Sequence, residues 1–242
     1  MRSSNPVFAN IERSATYEST ESASYRGITL KTFILLGIAV LTGFYAITSL
    51  PAETFTGLLI ASVIVALVAV LIASFVPSLA MPMSIVYAAA EGILLAMITL
   101  IANTFVPGAP YAAIIATTAI FFVMLFLYSS RIIRVTTRFR KIMYATLFGI
   151  LFFFIGFGLL SLFVDIDVLF GNSYGLAIGI SVFLIIYGSL MLTLDFDRAE
   201  AIVSGGADKR YEWMVALGLM VTIIWLYIEI LRLIMIVASK RD

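Results

Sequence analysis

The sequence predicts an all-α integral membrane protein, a bundle of seven transmembrane helices. Three observations carry this expectation. Hydrophobic residues make up 62% of the chain and charged residues only 12%, whereas a soluble domain carries about a quarter charged residues; the mean hydropathy is +1.13. The apolar residues gather into runs of about 20, each long enough to cross a hydrocarbon core of roughly 30 Å as a helix. Pro51, the Pro77 and Pro82 pair, Pro107 and Pro110 all fall between runs, where a missing N–H and a fixed φ end a helix at little cost.

Residues 1–29 differ from everything after them. They are rich in Ser, Thr, Glu and Asn, bury too little apolar surface to offset the entropy of ordering, and read as a flexible cytoplasmic tail. No apolar core begins before Thr29, so the segment does not read as a signal peptide. Residues 30–242 form the transmembrane domain, with spans expected at about 30–50, 57–76, 83–104, 111–130, 142–163, 173–194 and 212–237. The fifth loop carries Asp165-Ile166-Asp167 and then the apolar Val168-Leu169-Phe170. It reads either as an ordinary turn or as an interfacial segment whose carboxylates concentrate cations.

Charge sorting tests the span count independently of hydropathy. Of the 15 basic residues, twelve fall on the side of the N-terminus: Arg2, Arg13, Arg26 and Lys31; Arg131, Arg134, Arg138, Arg140 and Lys141; Arg198, Lys209 and Arg210. Only Lys240 and Arg241 fall opposite, and Arg232 lies within the last span. The positive-inside rule then places the N-terminus in the cytoplasm and the C-terminus outside. A six-span arrangement with a re-entrant last segment is the rival reading. Gly37 and Gly43, Gly156 and Gly158, and the Gly175–Gly179 pair mark spans where backbones can approach closely.

Several function classes drop out. Cysteine and histidine are absent, which removes thiolate chemistry, the usual zinc ligands and the usual general base. No Gly-x-Ser-x-Gly elbow appears, and Asp195 and Asp197 sit at an expected helix end rather than at mid-depth, so an enzyme is not expected. The basic residues are sorted between loops rather than massed on a face, so nucleic acid is no partner. No tightly bound cofactor is expected.

The chemistry rests on a few polar groups at bilayer depth, where a charge costs at least about 2.5–3.5 kcal/mol on insertion scales. On the last span Gly218, Thr222, Trp225, Glu229 and Arg232 recur at helical spacing and share one stripe. Glu229 and Arg232, at i and i+3, are placed to form a structural ion pair. On the sixth span Ser181, Gly188 and Asp195 recur every seven residues, with Asp195 expected at the inner end. Asp197, Glu200, Asp208 and Glu212 read as solvated loop charges. Glu91, in Tyr87-Ala88-Ala89-Ala90-Glu91-Gly92, lies on the order of 12 Å from the inner end of its span, and Thr222 about 15 Å from its own. The two can share a level.

These residues also carry a resemblance. The Tyr87–Gly92 run, Leu127-Tyr128-Ser129-Ser130 leading into Arg134-Val135-Thr136, Leu194-Asp195-Phe196-Asp197, and Glu229-Ile230-Leu231-Arg232 together resemble the bacterial, YccA-like branch of the Bax inhibitor family, the transmembrane Bax-inhibitor-motif proteins. The similarity runs from about Gly27 to Val237 and rests on the order and spacing of these motifs. It implies a seven-helix bundle with the last helix central, and a pH-sensitive calcium leak held shut by two aspartates that share a proton. Asp195 matches the first aspartate. Thr222 stands where the second is expected, so the second carboxyl is sought in Glu91 or Glu229.

The expected function is therefore a pH-sensitive calcium leak channel, with Asp195, Glu91, Glu229 and Thr222 along the ion pathway. Glu91, Asp195 and Glu229 would offer calcium hard oxygen ligands in series, and the same groups would serve protons. The alternative is a regulatory membrane protein that binds membrane proteases or stress machinery through its tail or its basic fourth loop and conducts nothing. In either case the lipid bilayer is the first partner.

Overall fold

In the computed structural model the described residues are 22–49, 55–162 and 174–239. The remainder of the tail, Asp165, Asp167, Lys240 and Arg241 lie outside them. Among the described residues seven helices are long and apolar enough to cross a membrane, in agreement with the run count. They are α1 (Tyr25–Ser49), α2 (Phe55–Phe75), α3 (Ala80–Phe105), α4 (Ala109–Ser129), α5 (Thr137–Leu160), α6 (Tyr174–Ser204) and α7 (Tyr211–Ala238). A 3-10 turn, Pro77–Leu79, leads into α3.

The helix ends differ from the hydropathy edges for local reasons. α1 starts at Tyr25, inside the expected tail, because the preceding residues dock: Ser22 pairs with Asp208 in an antiparallel bridge, and Ala23 N–H donates to the Ala207 carbonyl at 2.8 Å. α5 starts at Thr137 rather than near 142. Thr136 caps it by accepting from Phe139 N–H, which draws Arg138, Arg140 and Lys141 into its first turns.

The largest departure is α6, which runs 31 residues where a span ending at 194 is expected. Nothing between Gly188 and Ser204 breaks a helix, so it continues to Gly205-Gly206. There Gly206 takes the left-handed φ of +63°, and the Ala207→Ile202 and Gly206→Val203 hydrogen bonds close a Schellman cap. Asp195 is therefore not at the helix end but nine residues before it.

Lipid-spanning helices expose apolar side chains outward, and six of the seven do so over most of their length. In α7, by contrast, 67% of the most apolar stretch is buried, against 33% or less in the others. It packs against α1, α2, α3, α4 and α6. Its Ala216, Leu217, Met220 and Ile224 join Leu35, Ala39, Tyr87 and Ala88 in one cluster, its Val215, Leu219 and Leu226 join Met124, Leu192 and Phe196 in a second, and Ile230 and Leu231 meet Ala102, Ala109 and Ala113 in a third.

Of the glycines expected to mark close packing, Gly43 does so. A Cβ there would lie 2.7 Å from the Gly92 carbonyl, and one on Gly92 would overlap the Ala39 carbonyl and Thr42. The α1–α3 crossing thus requires both residues to lack a side chain. Gly37, Gly156, Gly158, Gly175 and Gly179 face open space.

Candidate functional site

The site forms where α6 and α7 run antiparallel. Asp195 is 8% exposed, and Thr222 of α7 donates its hydroxyl to Asp195 Oδ2 at 2.6 Å. The same hydroxyl has a second acceptor one turn back, the Gly218 carbonyl at 3.2 Å. Gly218 leaves room beside the carboxyl, since a Cβ there would stand 3.7 Å from Asp195 Oδ1. Gly188, two turns before Asp195, lets α7 close in: its absent Cβ would touch Leu226 at 3.0 Å. Arg198, one turn further along α6, directs its guanidinium to the Tyr144 hydroxyl at 3.4 Å. Counting a rise of about 1.5 Å per residue, Asp195 lies roughly 14 Å from the Ser204 end of α6 and Thr222 about 16 Å from the Tyr211 end of α7.

Glu91 sits eleven residues into α3, level with Thr222 by the same count, but the shared level is not shared space. α3 packs on the Met220 and Ile224 side of α7, and two residues of helix turn Thr222 about 200° away from Met220, toward α6. The polar neighbour of Glu91 is Tyr87, one turn earlier on its own helix. The structure brings together Asp195 and Thr222 and does not bring Glu91 to them.

Glu229 occupies the same stripe as Thr222, two turns nearer the other end of the bundle. Arg232 Nη1 stands 3.6 Å from Glu229 Oε2, forming the i,i+3 pair, and Trp225 flanks the carboxyl one turn earlier. Oε2 is buried and accepts no hydrogen bond. Among the described residues no three Asp or Glu side chains converge to hold a metal. Glu91, Asp195 and Glu229 form three separate stations rather than one coordination sphere.

The charges expected to be solvated form an ion-paired rim at the end of the bundle that holds the α6–α7 turn. Glu212, in the first turn of α7, is 1% exposed. It accepts from Lys31 Nζ at 2.5 Å, Ser24 N–H at 2.7 Å and Ser24 Oγ at 3.1 Å, while Lys31 also stands 5.1 Å over the Trp213 ring. A carboxylate in a helix's first turn is additionally favoured by the macrodipole. Asp197 pairs with Arg140 of α5 at 2.5 Å. Glu200 pairs with Arg131 at 2.9 Å and takes a short hydrogen bond from Tyr128. Arg210 holds the Asp208 carboxyl below the usual carboxylate range through a hydrogen bond. The burial of Glu212 corrects its reading as a solvated charge, and its partner Lys31 lies 181 positions away in the chain.

Residues 5–239 match the family model described as Bax inhibitor 1 like, nearly the whole chain. No individual curated protein matches.

Proposed function

The chain belongs to the Bax inhibitor 1 like family, and on that premise we propose that it is a pH-sensitive cation leak channel with calcium as the conducted ion, gated where Asp195 meets Thr222. The observation that carries this reading is a buried carboxyl bonded across a helix interface to a hydroxyl that has a second acceptor at hand. Protonated, Asp195 presents no net charge to a cation and stays bound to Thr222. Ionised and without a contacting cation, it is a costly buried charge that draws in water or a metal ion. When the contact opens, Thr222 turns its hydroxyl to the Gly218 carbonyl, so α7 moves away without orphaning a donor. α7 then serves as the axis of the bundle, Glu229 as the next carboxyl along it, and Glu91 as a flanking station on α3. The basic rim faces the cytoplasm of a bacterial inner membrane.

The test is calcium flux through purified protein in liposomes from acid to neutral pH. Wild type should conduct more as pH rises. Asp195→Asn keeps an acceptor for Thr222 and should lose the pH dependence. A wild type that conducts nothing overturns the reading. It would favour the regulatory one, for which the docking of Ser22 and Ala23 on the α6–α7 turn speaks, since the tail is thereby tethered beside α7.

A further inference from the structure

A groove of about 420 Å³ opens between α1, α3, α4 and α7, on a face of α7 that does not include Asp195 or Thr222. Its floor is Ile223, Ile224 and Tyr227 of α7, and its open side runs along Val40 and Phe44 of α1 and Ile114 of α4. These three are 71%, 68% and 53% exposed, so the groove is continuous with the lipid-facing surface. Its hydroxyls are already engaged. Thr117 and Thr118 donate back to their own helix at 2.8 Å, and Thr99 is bonded to Tyr227 at 2.8 Å. The rest of the lining is apolar.

The dimensions favour one kind of occupant. Along α1 the lining runs from Leu36 to Ile47, about 17 Å at helical rise, close to the roughly 15 Å depth of one hydrocarbon leaflet. It ends near the α3–α4 turn, two residues short of the end of α1 and five into α4, so a molecule lying in it has its head at the level of headgroups. We propose that this groove is a binding site for one acyl chain of a bilayer phospholipid from the leaflet on the side of the α3–α4 turn. The bound chain covers the open side of the groove along Val40, Phe44 and Ile114.

The experiment is native mass spectrometry of the detergent-purified full chain after delipidation and addition of dioleoylphosphatidylethanolamine. One retained phospholipid per chain is expected. Val40→Trp and Ile114→Trp, both at exposed positions that admit a larger side chain, should plug the groove and lower apparent affinity about tenfold. Val63→Trp, on the exposed face of α2, should leave it unchanged. Absence of retained lipid on the wild type, equal retention by the plugged variants, or a second copy of the chain in place of lipid overturns the proposal. Unchanged helical content and melting temperature of the variants exclude unfolding as the cause.

Discussion

Thr222 donates to Asp195 Oδ2 at 2.6 Å while keeping the Gly218 carbonyl within reach at 3.2 Å. A threonine hydroxyl carries one proton and must choose between these acceptors. Thr222→Val keeps the shape but leaves the buried carboxyl of Asp195 without its donor, which costs about 1–3 kcal/mol. The expected outcome is a lower melting temperature in detergent, accompanied by a leak that stays open at acid pH, measured as calcium flux. Loss of stability with an unaltered flux profile would separate the contact from gating.

Thr222→Asp supplies the carboxyl that the family resemblance leads one to expect. Two carboxyls at this separation titrate as a pair rather than independently. The flux against pH should then change from one step to two, or to a broader transition displaced from that of wild type. A curve superimposable on wild type would show that Asp195 does not sense the residue opposite it.

Glu91 provides the contrast. It lies across α7 from the Asp195 contact and interacts with Tyr87 of its own helix. Glu91→Gln should therefore lower the magnitude of calcium flux, by about tenfold for a loss of 1.4 kcal/mol at one station, without shifting its pH midpoint. A shifted midpoint would reinstate Glu91 as the partner of Asp195.

What was legible in the sequence follows from the range of the interactions involved. Each span is a local property of its own 20 residues, so all seven could be read from hydropathy and proline spacing. Helix ends could not, because hydropathy stops at the first charges while the backbone stops only where a cap permits: α6 passes Asp195 and ends at Gly206, and α5 begins at its Thr136 cap. That Asp195 and Thr222 stand opposite each other was implied only by the family resemblance, which expects a second aspartate at Thr222; the residues themselves pointed to Glu91 or Glu229 as the partner, and the hydrogen bond between Thr222 and Asp195 appears only in the fold. The burial of Glu212 was not legible, because its partner Lys31 is 181 positions away and a loop charge beside a basic run looks solvated until the chain is folded.

Glycine positions separate in the same manner. Gly92 lies against the Ala39 carbonyl with no room for a Cβ, whereas a Cβ on Gly179 meets nothing. Gly92→Ala should cost about 1–3 kcal/mol by forcing α1 and α3 apart, and Gly179→Ala should be neutral or slightly stabilising because alanine favours helix. Thermal unfolding of the two variants in the same detergent decides the matter, and equal melting temperatures would mean that the α1–α3 crossing yields without cost.

The ion pair of Lys31 with Glu212 joins the starts of the first and last helices and carries the docked residues Ser22–Ser24 with it. Its carboxylate is almost wholly buried and its ammonium is 12% exposed, so removing one partner strands the other. Lys31→Met should destabilise the chain by about 3–5 kcal/mol, and Glu212→Gln should do less, because the amide still accepts from Ser24 and leaves a lysine that can extend to water. The double variant Lys31→Met with Glu212→Leu removes both charges, and buried pairs replaced by apolar residues are often neutral in stability. A double-mutant cycle by thermal unfolding should thus show strong recovery in the double variant relative to Lys31→Met alone. Additive losses would mean that the pair holds nothing together and that the N-terminal residues stay on the α6–α7 turn by their backbone hydrogen bonds.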